Sequence, residues 1–267
     1  GVGPETAVAV RIPRGIEMVV ALHAVTAAGG HFVPVDVGAP SDRVRYVLDT
    51  AGADIVLVEP GSAFAEPGVR TVTVDCSTPI DAATREAAPL TDADRRRPLR
   101  AGNAVYTIFT SGSTGQPKGV TVSHEEFLTL LGSDGAENGF DESDVFLQML
   151  AYTFDPFVLE LLRPVLAGAP LLLVGQDEYR DPQVIARLVT EHRVTTAFFV
   201  TSILSVMLDE FVGDASWAST LRDVGIGGES VPPALAAQAD LGVDAGRRDG
   251  RARARASRPQ RDPAIPS

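Results

Sequence analysis

Ten residues concentrate the chemistry of this chain: Thr110-Ser111-Gly112-Ser113-Thr114-Gly115-Gln116-Pro117-Lys118-Gly119. Four hydroxyls, three glycines and a lysine follow directly on the apolar run Val105-Tyr106-Thr107-Ile108-Phe109. Glycine has no Cβ, so it admits positive φ and lets backbone N–H groups approach a ligand closely. Successive amides in such a turn form a concave anion site, to which hydroxyls add donors. A lysine ammonium adds full positive charge against phosphate. The inventory is that of a polyphosphate cradle. A flexible Ser/Gly surface loop does not account for hydroxyls, glycines and lysine occurring together.

The stretch is not a Walker A loop, which needs G-x-x-x-x-G-K-[ST] leading into a helix. Here Gln116-Pro117 follows Gly115, and the chain resumes as the apolar run Val120-Thr121-Val122. The loop is therefore expected to join two strands. A helix is predicted after it, where Ser123 and Glu126 have capping-box spacing.

The run from Tyr106 to Gly119 resembles the phosphate-loop signature of the adenylate-forming (AMP-binding) enzymes, which include acyl-CoA synthetases, luciferases and nonribosomal peptide synthetase adenylation domains. The resemblance assigns Thr110, Ser111, Gly112, Ser113, Thr114, Gly115, Lys118 and Gly119 to the phosphates of ATP, with Lys118 the catalytic residue. His124 reads as a solvated first-turn histidine rather than a support for the loop.

The likeness covers about residues 1–237. Leu22 to Asp36 is similar to the Leu-Lys-Ala-Gly-x-Ala-Tyr-x-Pro-x-Asp signature of peptide-synthetase adenylation domains. Ala27 stands in the place of lysine, Phe32 of tyrosine and His31 of a small residue, all packing positions. Phe154-Asp155-Pro156-Phe157 occupies the place of Phe-Asp-x-Ser, whose aspartate holds the substrate α-ammonium in amino-acid-activating members. Phe157 replaces the serine. A carboxylate buried behind Phe154 would need a cation; an N-cap role ahead of Pro156 is the other reading of Asp155. Gly227-Gly228-Glu229 resembles a segment bordering the substrate pocket, and Pro156, Leu159, Phe198, Gly225 and Gly227 are the implied pocket lining. These are apolar or small, suiting an apolar or aromatic substrate side chain.

Beyond that the likeness stops. The Asn-x-Tyr-Gly-Pro-Thr-Glu motif with its Mg²⁺-binding glutamate is absent, as are the ribose-binding Thr-Gly-Asp and the C-terminal subdomain with its lysine. The expectation is an internal piece of a larger enzyme. No metal site is read from the chain itself, since His23, His31 and His192 lack ligand spacing.

The 267 residues are 45% hydrophobic, with no apolar run long enough to cross a bilayer. The start Gly1-Val2-Gly3-Pro4-Glu5 lacks a signal-peptide pattern. One cysteine, Cys76, permits no intrachain disulfide, so a reducing, cytoplasmic setting is the default. Cys76 reads as a strand-end residue. Net charge is −12, and residues 247–267 hold seven arginines and two aspartates; the remainder carries 16 basic and 33 acidic residues. So acidic a body is expected not to bind nucleic acid by general attraction, and with no spanning run no membrane partner is expected.

Elements alternate along the chain, predicting an α/β fold of mostly parallel sheets flanked by helices. Strands are expected at Val8–Ile12, Phe32–Asp36, Ile55–Val58, Val69–Val74 (the last two buried), Val145–Leu150, Leu171–Val174, Thr195–Val200 and Asp223–Gly227. The first helix should bury Ile16, Val19, Val20, Ala24 and Val25. Ser41 should cap a helix burying Val44, Val47 and Leu48. Pro164 should kink or end the helix Phe157–Ala167. Asp181-Pro182 should start a helix that buries Val184, Ile185, Leu188 and Val189, and Ile203–Phe211 another. Residues 77–102 read as a connecting loop. The resemblance implies that residues 1–237 are a partial adenylation domain (its N-terminal subdomain). Residues 238–267, Arg/Ala-rich and poor in large apolar side chains, are expected to be disordered. A shifted reading frame and a basic arm for nucleic acid are the other readings of this tail.

The resemblance implies an adenylating ligase. An amino acid reacts with ATP and Mg²⁺, and the product is loaded onto phosphopantetheine of a peptidyl carrier domain beside a condensation domain. The alternatives are an acyl- or aryl-CoA ligase on the same scaffold, or a catalytically inactive truncated product. A serine hydrolase is disfavoured because no G-x-S-x-G elbow surrounds Ser111 or Ser113.

Overall fold

The structure, a computed structural model, describes residues 1–77, 90–110, 116–232, 235 and 253–256. The chain divides into two compact units: residues 1–137 with 152–155, and residues 138–151 with 156–267.

The first unit is built on a six-stranded sheet in the order β4-β3-β1-β2-β5-β6. Its strands are β1 (Ala7–Arg11), β2 (His31–Pro34), β3 (Ile55–Val58), β4 (Arg70–Thr73), β5 (Ala104–Thr110) and β6 (Lys118–Ser123). All pairings are parallel except the β5–β6 hairpin. Val8, Ala9 and Val10 on central β1 are fully buried, as a parallel strand covered on both faces requires. β4 is paired at one edge and all four of its residues are exposed, so the expectation of a buried strand there is corrected.

Helix α1 (Ile16–Ala27) buries Met18, Ala21, Leu22 and Val25, while Ile16, Val20 and Ala24 lie outside. Of the five apolar residues expected at helical spacing, only Val25 is buried. This helix is apolar around most of its circumference, so spacing alone cannot select the inward side. Helix α2 (Ser41–Ala51) buries Val44, Val47 and Leu48, but its N-cap is Pro40 and no side chain caps it. Ser41 is the first helical residue, one position too late to serve as the cap. In α3 (His124–Asn138) the capping box is complete: the Ser123 amide donates to Glu126 Oε2 at 2.8 Å and the Glu126 amide donates back to the Ser123 hydroxyl at 3.3 Å.

The second unit carries a parallel sheet in the order β11-β10-β9-β7-β8. The strands are β7 (Phe146–Gln148), β8 (Leu171–Leu173), β9 (Thr196–Val200), β10 (Asp223–Gly227) and β11 (Arg253–Ala256). Four residues of the tail read as disordered are therefore strand; most of that tail falls outside the described residues. Helices α4 (Phe157–Ala167), α5 (Pro182–Glu191) and α6 (Thr201–Glu210) complete the unit, whose core gathers Leu147, Ile185, Val189, Phe199, Leu204 and Trp217. Asp181 caps α5 as expected, accepting from the amides of Gln183 and Val184. That helix buries Ile185, Ala186 and Val189, leaving Val184 and Leu188 half-buried. Pro164 sits inside α4, which runs three residues further and closes at Gly168 with φ 68°.

Asp144, 2% exposed, accepts from the Asp141 amide and the Thr195 hydroxyl and pairs with Arg222. Asp144→Ala strands these donors and is expected to lower stability by about 1–3 kcal/mol, read as a shift in the urea midpoint. Burial also holds His23, His31 and His124 below the ordinary imidazole value, opposed by Glu5 at His31 and reinforced by Arg95 at His124. Each takes up its proton more readily when unfolded. Their contribution is therefore complete above about pH 6.5 and lost as pH falls from there through the lower values of the folded state. Melting should drop on acidification over this window, and His31→Gln should flatten the drop.

Candidate functional site

The β5–β6 hairpin brings the two ends of the glycine-rich stretch together, with Thr110 the cross-strand partner of Lys118. Both are exposed. Ser111, Gly112, Ser113, Thr114 and Gly115 lie outside the described residues. Gly119 sits opposite Phe109, and a Cβ there would come within 3.1 Å of the Phe109 ring, so glycine makes room for the aromatic. Tyr46, reaching from α2, donates to the Pro117 carbonyl at 2.9 Å and meets Phe109 edge-on. The loop's exit is thereby tethered to a helix remote in sequence.

Asp155 belongs to the same unit. Its Oδ1 accepts a hydrogen bond from the Tyr106 hydroxyl at 2.8 Å. The residue is exposed, which removes the premise that it is buried behind Phe154. Nor is it the cap of α4, whose N-cap is Pro156 without a side-chain cap bond. Tyr106 is 4% exposed, stacked on Phe32 and edge-on to Phe127. Burial first, and then the bond to Asp155, push its phenol far above the ordinary tyrosine value. Tyr152 fixes the other end of the segment by donating to the Val35 carbonyl at 3.0 Å. At the carboxyl ends of β2 and β5 a cavity of about 330 Å³ is lined by Pro34, Asp36, Arg43, Val44, Phe109 and Thr153, among others. Parallel α/β sheets commonly take ligands at such strand ends.

The other candidates lie in the second unit. Phe198 and Gly225 are register partners on β9 and β10, and a Cβ on Gly225 would lie 2.3 Å from the Phe198 ring. Pro156 and Leu159 are half-buried at the start of α4, and Gly227 ends β10 buried. Gly228 has φ +84°, a conformation that requires glycine. Glu229 accepts from the amide and hydroxyl of Ser202 in the first turn of α6, so its carboxylate is a remote helix cap. On α4, Glu160 is 5% exposed and accepts from Gln148 Nε2 and the Leu150 amide, fixing the exit of β7.

Among the described residues no group of three or more His, Cys, Asp or Glu is placed to hold a metal ion, and no helix is long and apolar enough to cross a membrane.

A family model described as "AMP-binding enzyme" matches residues 1–243. The chain belongs to that family. It is 32% identical over 240 residues to gramicidin S synthase 2 of Brevibacillus brevis, an alignment covering 87% of this chain and 5% of that protein. It is 33% identical over 235 residues to tyrocidine synthase 3 of Brevibacillus parabrevis, with 88% and 4% covered. It is 35% identical over 239 residues to the phosphinothricin tripeptide synthetase PhsB of Streptomyces viridochromogenes, with 88% and 19% covered. Among solved structures, the nonribosomal peptide synthetase FmoA3 in its alpha-methyl-L-serine-AMP bound form superposes with a TM-score of 0.78 at 28% identity. That alignment covers 92% of this chain and 27% of FmoA3. The chain thus spans a small fraction of its relatives' length.

In this AMP-binding enzyme the loop's strand and Asp155 share one unit, joined through Tyr106. Sequence reasoning missed Tyr46, Tyr152, Glu160 and the partner role of Tyr106. Only Tyr106 carried a signal, as the first residue of the matched motif. Gly225→Ala is expected to displace the Phe198 ring and cost about 1–3 kcal/mol. In a double-mutant cycle followed by urea unfolding, Phe198→Ala should relieve much of that cost, so the double variant loses less than the sum of the singles.

Proposed function

We propose that this chain is part of an amino-acid-activating adenylation domain of a nonribosomal peptide synthetase. A carboxylate oxygen of the amino acid attacks the α-phosphorus of ATP; the new O–P bond gives aminoacyl-AMP, and the bond to the β-phosphate breaks to release pyrophosphate. The aminoacyl group then passes to a phosphopantetheine thiol on a carrier domain, the acyl–phosphate bond breaking to release AMP, in a cytoplasmic synthetase that also carries a condensation domain. Such a product would belong to peptide-antibiotic metabolism, as the relatives' names suggest for them.

The observation that carries this reading is the exposed Asp155 in the same unit as the hairpin that presents Thr110 and Lys118. The Lys118 ammonium and the Thr110 hydroxyl suit the β- and γ-phosphates, with Ser111, Gly112, Ser113, Thr114, Gly115 and Gly119 completing the cradle. Charge stabilisation of a departing pyrophosphate is where such groups lower the barrier. Asp155 would receive the substrate ammonium. Mg²⁺ when bound would neutralise phosphate charge; among the described residues no cluster of acids fits it.

ATP–pyrophosphate exchange by the full-length protein tests this. Exchange should depend on an amino acid and fail with the corresponding acid lacking the amine. Lys118→Ala should lower kcat by about 100-fold. Equal exchange with the deaminated acid would favour an acyl- or aryl-CoA ligase, and no exchange by folded protein with any acid would favour an inactive product.

A further inference from the structure

We propose that Tyr106 is the positioning residue of the acidic subsite: its hydroxyl fixes the Asp155 carboxylate through Oδ1 and leaves Oδ2 directed to a substrate ammonium. The proposal rests on the reading of Asp155 as the ammonium acceptor.

Three observations support it. The Tyr106 backbone is held on both edges, paired with Phe32 on β2 and with Val122 on β6. Its ring is clamped between Phe32, stacked at 5.8 Å, and Phe127, edge-on at 5.8 Å, so the hydroxyl has one direction to point in. The acceptor is fixed too, since Tyr152 anchors the same short segment through the Val35 carbonyl.

The chemistry of the donor matters as much as its placement. A carboxylate has about four acceptor positions, and the phenol occupies one. A lysine or arginine here would neutralise Asp155 and compete with the substrate ammonium. A buried phenol orients the carboxylate and leaves its charge intact. Tyr106 also stands four residues before Thr110 on β5, so one strand sets both the acidic subsite and the root of the glycine-rich loop.

Tyr106→Phe keeps the ring and removes only the hydroxyl. In ATP–pyrophosphate exchange by the full-length protein it should raise KM for the amino acid about tenfold, the loss expected for one hydrogen bond to a charged group. The KM for ATP and kcat should stay within about twofold on the same reasoning. Asp155→Asn should raise amino-acid KM further. Phe32→Leu, which loosens one side of the clamp but keeps the hydroxyl, should lower Tm and raise amino-acid KM by less than Tyr106→Phe does. An unchanged amino-acid KM in Tyr106→Phe, beside an impaired Asp155→Asn, overturns the role of Tyr106 and leaves Asp155 as the acceptor. An unchanged Asp155→Asn removes the acceptor reading itself. If Phe32→Leu shifts amino-acid KM as much as Tyr106→Phe, or Tyr106→Phe moves both KM values together with Tm, ring packing rather than the hydroxyl is responsible and the proposal fails.

Discussion

The first unit depends on the register of β5. Its side chains alternate across the sheet, and each face has a fixed job. Tyr106 turns to Phe127 and Asp155; Phe109 turns to Tyr46, which holds the loop's exit at Pro117. Between them the Thr107 and Thr121 hydroxyls bond across the hairpin at 2.8 Å. A slip of one residue would exchange the faces and undo all these contacts together. Pairing with β2 on one edge and β6 on the other makes such a slip costly. The root of the loop and the hydrogen-bond partner of Asp155 are therefore held by the same backbone.

Carboxylates at the candidate positions receive different treatment, and the difference follows from burial. Glu160 is buried and accepts from Gln148 and the Leu150 amide, as a desolvated carboxylate must. Glu229 is exposed, yet both its oxygens bind Ser202. Asp155 is exposed, with one oxygen bound by a neutral donor. Of the three it retains the most capacity to accept from a cation, which is why it and not Glu229 carries the functional reading.

Legibility in the sequence divided along the range of the interaction involved. The Ser123–Glu126 box, the Asp181 cap and the hairpin either side of the loop are decided within a few residues, and all appear where their local patterns place them. The inward face of α1 was not legible, because a helix apolar nearly all round faces whichever way its neighbours require. The exposure of β4 follows from its place at the sheet's edge, a fact of topology rather than composition. Asp155 was misjudged in the same way. Phe154 before it suggests burial, but its surroundings are set by Tyr106, 49 residues earlier.

The Gly227-Gly228-Glu229 segment shows why a matched motif is not by itself a ligand site. Gly227 ends a buried strand, Gly228 supplies a positive φ, and Glu229 caps a helix that begins 28 residues before it. Gly225, two residues earlier, is required by the Phe198 ring lying over it. Gly225, Gly228 and Glu229 are thus accounted for by packing, backbone conformation and capping, before any substrate is considered. A position whose identity the fold already demands gives little information about chemistry. Asp155 is the opposite case: among the described residues no cap, no burial and no ion pair requires a carboxylate there, and an asparagine would accept the same bond from Tyr106. The negative charge is what the fold leaves unexplained, and a cationic ligand group is what would explain it.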